Sequence, residues 1–248
     1  MLSERSQKPD MSPLAHPFDA VIFDMDGTLL DTEAVFKAIV YEVCTEMGFE
    51  MTDLVHGRMV GSSHEATAAL LVDSFGTHFP YEMFDDKCRA SMKIRMADAV
   101  PVKPGAVELV TALRELDIPL AVATSSRANH ALGHLEAAGV IGFFDTIVTR
   151  DDVINPKPHP EPYLTAARRL NVDPVHCVAF EDSVSGVRAA HAAGMRTVMV
   201  PDLVAPSDDI AALCVAVLES MAHAHEHLVS APRSANGLQE HLQVKSRG

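Results

Sequence analysis

The chain has 248 residues, 48% hydrophobic and 22% charged, a composition that can support a sizeable globular core. Twenty Lys and Arg against 34 Asp and Glu leave a formal charge of −14. That field repels a phosphodiester backbone and an anionic membrane surface, so neither nucleic acid nor membrane is an expected partner, and any anionic substrate needs a local cation.

The first 18 residues are polar, contain three prolines and lack the apolar stretch of a secretory signal. No apolar run reaches the roughly 18–20 residues a membrane helix needs. The four cysteines, Cys44, Cys88, Cys177 and Cys214, are widely separated and form no C-x-x-C pair. These features predict a cytoplasmic protein with reduced, mostly buried thiols.

Phe18–Phe23 is an apolar run rich in β-formers that stops at Asp-Met-Asp-Gly, the pattern of a buried strand and a loop. Thr32–Gly48 has helical spacing, and Glu65–Phe75 and Tyr81–Ala97 continue in the same way. After Pro101 and Pro104 the pattern alternates: helix Gly105–Leu116, strand Leu120–Ala123, helix Arg127–Ala138, strand Thr146–Val148, helix Glu161–Leu170, strand His176–Phe180, helix Val184–Ala193 and strand Arg196–Val200. A last helix is expected over Asp208–Met221. This alternation predicts an α/β fold, a Rossmann-like doubly wound parallel sheet. The all-helical block breaks it, so residues 33–103 are expected to form an inserted helical cap domain and residues 18–32 with 104–221 the core. Residues 1–17 and 222–248 are expected to be loose tails, with His223, His225 and His227 on a solvated helix end.

In such sheets, ligands bind beyond the carboxyl ends of the strands. Four of those ends carry useful chemistry. Asp24 and Asp26, two apart on extended chain, can turn both carboxylates toward one site, or can be solvated acids of an Asp-Gly turn. Thr124, Ser125 and Ser126 precede a helix, where hydroxyls cap and where free N–H groups bind anions. Lys157 lies between two prolines, either as a solvated turn lysine or as a fixed positive charge. Glu181 and Asp182 follow an apolar run; Asp182 suits a helix cap, and the oxygen-rich pair suits a hard cation such as Mg²⁺.

Taken together, Phe23–Glu33 (FDMDGTLLDTE), Ala123–Ser126 (ATSS), Lys157–Pro158 and Phe180–Gly186 (FEDSVSG) resemble the four signature motifs of the haloacid dehalogenase superfamily. The similarity spans about residues 18–220 and is greatest to its phosphatases and β-phosphoglucomutases, which have a small helical cap. The resemblance implies an Mg²⁺-dependent phosphatase acting on a small phosphorylated metabolite, a sugar or sugar-acid phosphate, through an aspartyl-phosphate intermediate. It implies Asp24 as nucleophile, Asp26 as general acid and base, and Lys157 as the charge-offsetting catalytic cation. It places Thr124 and the Ser125 N–H on phosphoryl oxygens, and Mg²⁺ on Asp24, the Asp26 carbonyl and Asp182. Glu181 is either a further metal ligand or a support behind the ligands.

Halide displacement is disfavoured by the acid retained at Asp26. Val60-Gly61-Ser62-Ser63-His64 resembles the family's cap specificity loop, making Gly61 and His64 candidate specificity residues; Lys87, Lys93 and Arg95 add cap charge. β-Phosphoglucomutases generally carry Arg at the position of His64 and His at that of Phe36. A sugar-phosphate mutase is therefore the weaker alternative. A non-catalytic metabolite-binding regulatory protein is the alternative from another class, opposed by the four intact motifs. The sequence assigns no oligomeric state.

Overall fold

A computed structural model describes residues 17–60, 62, 64–202 and 205–229. Its organising element is a six-stranded, all-parallel sheet in the order β3-β2-β1-β4-β5-β6. The strands are β1 (Ala20–Phe23), β2 (Leu120–Ala123), β3 (Thr146–Val148), β4 (Cys177–Glu181), β5 (Arg196–Met199) and β6 (Ala216–Val217). β1 is central, paired with β2 on one side and β4 on the other, so the loop after β1 opens between two neighbouring strand ends.

The two faces of the sheet differ in residue size. Val21 and Phe23 of β1, Leu120 and Val122 of β2, and Val178 and Phe180 of β4 point to one side. There they meet α5 (Ala106–Glu115), α6 (Ala128–Ala137) and α10 (Met221–Val229) through Leu109, Leu113, Leu135 and Leu228. Phe23 and Phe180 stack with ring centroids 5.2 Å apart. On the other face Ala20, Ile22, Ala121, Ala123, Cys177 and Ala179 are mostly small. They admit α7 (Glu161–Leu170), whose buried face is Pro162, Tyr163, Ala166 and Ala167, and α8 (Val184–Ala192) through Ala189 and Ala190. The period-2 alternation of each strand thus produces both helical layers.

Between β1 and β2 the chain forms α1 (Thr32–Glu46), α2 (Asp53–Met59), α3 (His64–Phe75) and α4 (Tyr81–Asp98). These helices share an apolar cluster of their own, including Ile39, Val43, Leu71, Phe79 and Phe84. The two chain crossings that join this bundle to the sheet run side by side. Leu30 and Val102 form an antiparallel bridge, Asp31 N–H donates to the Pro101 carbonyl (2.8 Å) and Lys103 N–H to the Leu29 carbonyl (2.8 Å). Lys103 adds ion pairs to Asp31 (3.1 Å) and to Asp202 (2.5 Å) after β5.

The structure departs from the sequence reading at three places. The expected helix over Asp208–Met221 is a single turn, α9 (Asp208–Ala211), followed by β6. Residues 222–229 are not a loose tail. They belong to α10, which buries Ala224 and Leu228 against the α5 face, and whose start lies so close to Gly105 that a Cβ there would fall 2.3 Å from the Ala222 nitrogen. The His-rich composition hid an apolar stripe at Met221, Ala224 and Leu228 with helical spacing. Helix α2 was also unexpected; its seven residues give too short a period to read. Residues 1–16 and 230–248 of the expected tails lie outside the described residues.

Candidate active site

The site is built on the carboxyl ends of β1, β2 and β4. Asp24 follows β1 directly, its N–H donating to the Phe180 carbonyl of β4 at 2.9 Å, which fixes the residue in register beside Glu181. The chain then turns at Gly27, where φ is +84° and a Cβ would fall 2.3 Å from Asp182 Oδ2. Only glycine meets both demands, the left-handed backbone and the close approach of the two loops. Thr28 Oγ1 donates to Asp182 Oδ1 at 3.2 Å, tying the β1 loop to the β4 loop.

Lys157 reaches this point from the loop before α7. Its Nζ lies 2.5 Å from Asp24 Oδ1 and 2.5 Å from Glu181 Oε1, and its side chain is only 3% exposed. Glu181 is fully buried. Its Oε1 also accepts from the Tyr163 hydroxyl (2.6 Å), while Oε2 accepts from the N–H groups of Asp182 (3.2 Å) and Ser183 (3.3 Å) and from Ser183 Oγ (3.0 Å). Five donors therefore occupy the lone pairs of this carboxylate. One oxygen each of Asp24, Glu181 and Asp182 falls within 4.8 Å of the others. With Glu181 so engaged, Asp24 and Asp182 are the acids with oxygen capacity to spare.

Three carboxylates here face one ammonium. Burial raises the Asp24 pKa well above the usual value, Lys157 pulls it back, and Glu181 and Asp182 push it up again. Asp182 is pushed up to about 7 by burial and by Glu181. Burial alone would lower the Lys157 pKa, but Asp24 and Glu181 raise it above its ordinary value. The cluster thus has an excess of buried negative charge made of carboxylate oxygens, the donor set a hard divalent cation takes. The residues fit such an ion.

Asp26 is set apart from that cluster. Its carboxylate accepts from Ser126 Oγ (2.8 Å) and Thr32 Oγ1 (3.2 Å), one a residue of the β2 loop and the other the first residue of α1. Thr124 is buried, and its Oγ1 accepts from the Ser126 N–H (3.0 Å), which leaves its own proton free to donate. Ser125 is exposed, and its N–H has no partner among the described residues. Helix α6 is capped from outside the motif, since Ala128 N–H donates to Asp151 Oδ2 (2.9 Å). The hydroxyls of Thr124–Ser126 are consequently not spent on capping.

His64 begins α3, and its Nδ1 lies 3.2 Å from the Tyr81 hydroxyl. Gly61 and Ser63 lie outside the described residues. Lys87 and Arg95 pair with Glu46 and Glu42 and so join α4 to α1, while Lys93 is exposed. Phe36 packs into the bundle's apolar cluster. The sequence reading had not singled out Tyr163, Thr28 or Thr32 for a role, and had read Ser126 as a helix cap or anion-site residue rather than as a partner of Asp26. The last three stand inside the motifs, and Tyr163 carries a polar tip on an otherwise apolar helix face six residues after Lys157.

A model of the haloacid dehalogenase-like hydrolase family matches residues 21–200. The chain belongs to this family. It is 35% identical over 180 residues to the phosphorylated carbohydrates phosphatase of Thermotoga maritima, covering 73% of this chain and 83% of that protein. It is 33% identical over 186 residues to the fructose-1-phosphate phosphatase YqaB of Escherichia coli, covering 74% and 96%. Among solved structures, a haloacid dehalogenase family hydrolase of Deinococcus radiodurans with bound phosphate and sodium is similar, with a TM-score of 0.76 and 30% identity over 87% of this chain and 96% of that one. Among the described residues no helix is long and apolar enough to cross a membrane.

Proposed function

We propose that the chain is a cytoplasmic Mg²⁺-dependent phosphatase that hydrolyses a small sugar or sugar-acid phosphate through an aspartyl phosphate on Asp24. The observation that carries this reading is the Lys157 ammonium lodged between Asp24 and Glu181, beside Asp182 and within a family of hydrolases. A nucleophilic carboxylate splits hydrolysis into two easier displacements, formation and breakdown of an acyl phosphate. Asp24 and Asp182, with the Asp26 carbonyl, would hold the metal. When bound, Mg²⁺ offsets charge between the attacking carboxylate and the phosphoryl oxygens.

The chain's own residues supply the rest. Asp24 Oδ attacks phosphorus as the substrate alkoxide leaves. Asp26, released from Ser126 and Thr32, gives its proton to that oxygen and then takes one from the water that hydrolyses the acyl phosphate. Thr124 Oγ1–H and the Ser125 N–H donate to phosphoryl oxygens. Lys157 holds positive charge against Asp24 and the transferred group. The bundle α1–α4 acts as a cap domain over residues 33–103, and His64 with Gly61 contributes to substrate choice. Because Thr32 opens α1 and also holds Asp26, movement of the bundle reaches the acid directly.

The test is a phosphomonoester panel assayed with and without Mg²⁺. Mg²⁺-dependent phosphate release supports the reading. Hexose 6-phosphate as the main product from hexose 1-phosphate would replace it with the mutase, and no turnover of any member would favour the regulatory protein. His in place of Arg at position 64 and Phe in place of His at position 36 favour hydrolysis over mutase chemistry.

A further inference from the structure

We propose that Tyr163 is a positioning residue for Lys157, acting through Glu181, and that this clamp withdraws Glu181 from the metal and leaves Asp24 and Asp182 as the carboxylates that bind it. The inference rests on the phosphatase reading and adds a residue on α7, outside the four motifs.

The geometry is specific. The Tyr163 hydroxyl and the Lys157 ammonium share one acceptor, Glu181 Oε1, at 2.6 and 2.5 Å. The same ammonium lies 4.9 Å from the centroid of the Tyr163 ring, so one side chain both competes for the carboxylate and cushions the cation. Tyr163 is fully buried, and its hydroxyl has no second partner among the described residues. The opposite oxygen of Glu181 is fixed by Asp182, Ser183 and the Ser183 hydroxyl. Gly186 makes the arrangement possible, since a Cβ there would fall 1.8 Å from Glu181 Oε1.

The consequence follows from sharing. A carboxylate oxygen that already accepts a short hydrogen bond from a phenol holds an ammonium less strongly than one that accepts nothing else. Tyr163 therefore loosens the hold of Glu181 on Lys157 and leaves Nζ equally close to Asp24, 2.5 Å from each. Without the hydroxyl, Lys157 moves toward Glu181 and away from the nucleophile. Phenylalanine retains the ring and the packing on β1 and β2 but not the donor.

The experiment compares the full chain with Tyr163→Phe and with Thr165→Val, a control that removes another buried hydroxyl of the same helix, one that accepts from Arg168 and touches none of the site residues. In a ¹⁵N-lysine spectrum of the metal-free protein, a buried and ion-paired ammonium gives a protected resonance, assigned by its loss in Lys157→Met. That resonance should shift or broaden in Tyr163→Phe and stay in place in Thr165→Val. With p-nitrophenyl phosphate and saturating Mg²⁺, Tyr163→Phe should lower kcat about tenfold with KM within about threefold, and the Mg²⁺ affinity measured by calorimetry should change less than about twofold. An unmoved Lys157 resonance overturns the proposal, as does equal loss in both variants. A Mg²⁺ affinity weakened tenfold, with kcat restored by excess metal, overturns it too and returns Glu181 to the metal. The spectrum needs no turnover, so failure of every phosphomonoester would sink the phosphatase reading while the Lys157 clamp is still decided.

Discussion

Lys157 and Lys87 are both ion-paired lysines, and they sit in opposite settings. Lys157 is 3% exposed between two carboxylates, each 2.5 Å from its Nζ, one of them fully buried. Lys87 is 37% exposed and meets one carboxylate, Glu46, itself 64% exposed. Desolvation makes a buried ion pair costly to assemble and costly to break from one side, about 3–5 kcal/mol. An exposed pair is screened and has a typical value of about 0–1 kcal/mol. Charge at the sheet edge is therefore held under constraint for chemistry, whereas on the α1–α4 bundle it decorates a surface whose stability comes from the Phe79 and Leu71 cluster.

The largest expected effect that could break this contrast is on Asp24. Asp24→Asn should lower phosphomonoester turnover by at least about 10³-fold. Lys157 keeps Glu181 as its partner, so this substitution leaves no unpaired ammonium, and removing one of three crowded carboxylates should leave the melting temperature of the metal-free protein unchanged or raised. Appreciable remaining turnover would remove Asp24 as nucleophile. Gly186→Ala comes next. Its methyl group meets the Glu181 carboxylate, and about 1–3 kcal/mol of stability should be lost in urea unfolding, the usual range for an overpacked buried site. A value below 0.5 kcal/mol would mean that Glu181 swings aside freely and that the site is not rigid.

Metal addition sharpens the comparison without mutation. Mg²⁺ at about a hundred times its dissociation constant should stabilise the fold by about 2.7 kcal/mol, seen as a raised melting temperature, and Asp182→Asn should abolish most of that gain. A gain that survives Asp182→Asn would place the ion elsewhere. A smaller effect is expected at Asp152, which lies at the turn after β3. Burial alone would raise its pKa, but Arg169 and the hydroxyl and N–H of Thr149 bring it below its ordinary value. The folded pKa is therefore below the unfolded one. The stability this contributes is present above the unfolded value of about 4 and is lost as pH falls through the folded value. Asp152→Asn should flatten the acid limb of a stability-against-pH curve below about pH 4 and leave the slope of the neutral region unchanged. The smallest effect is Lys87→Ala, expected within about 0.5 kcal/mol and reduced further by salt.

Much of the sheet edge was legible because strand and loop signals there are local. β2 and β3 coincide with the residues read from alternation, and Asp24, Glu181 and Asp182 stand at or just beyond the ends of β1 and β4. The misses have physical reasons. β6 has two residues, too few for a period, and α10 presents its apolar stripe among histidines. The allegiance of Glu181 was left open because it depends on Tyr163 and Lys157, 18 and 24 residues away along the chain. Asp26 was placed beside Asp24 by two-residue spacing, which gives no sign of its hydroxyl partners, Ser126 and Thr32, 100 and 6 residues away along the chain. Spacing identifies what one element can present, and the pairings across elements are set by packing.

The bridge between Leu30 and Val102 has a consequence for how such a molecule can be remodelled. Facing residues of an antiparallel pair sit about 5 Å apart, so the whole four-helix insertion leaves and re-enters the sheet through a gap that one or two residues can span. To the α/β layer, the insertion is a surface loop of arbitrary length. A different helical segment, or a short turn, grafted between these two positions leaves the pairing of β1 with β2 in place, provided it keeps the Thr32 hydroxyl on Asp26 and the apolar contacts of Met96 and Val100. Variation on one side of the bridge thus reaches the other through a few named contacts, and the ion pairs of Lys103 to Asp31 and Asp202 are further stitches that a graft must keep.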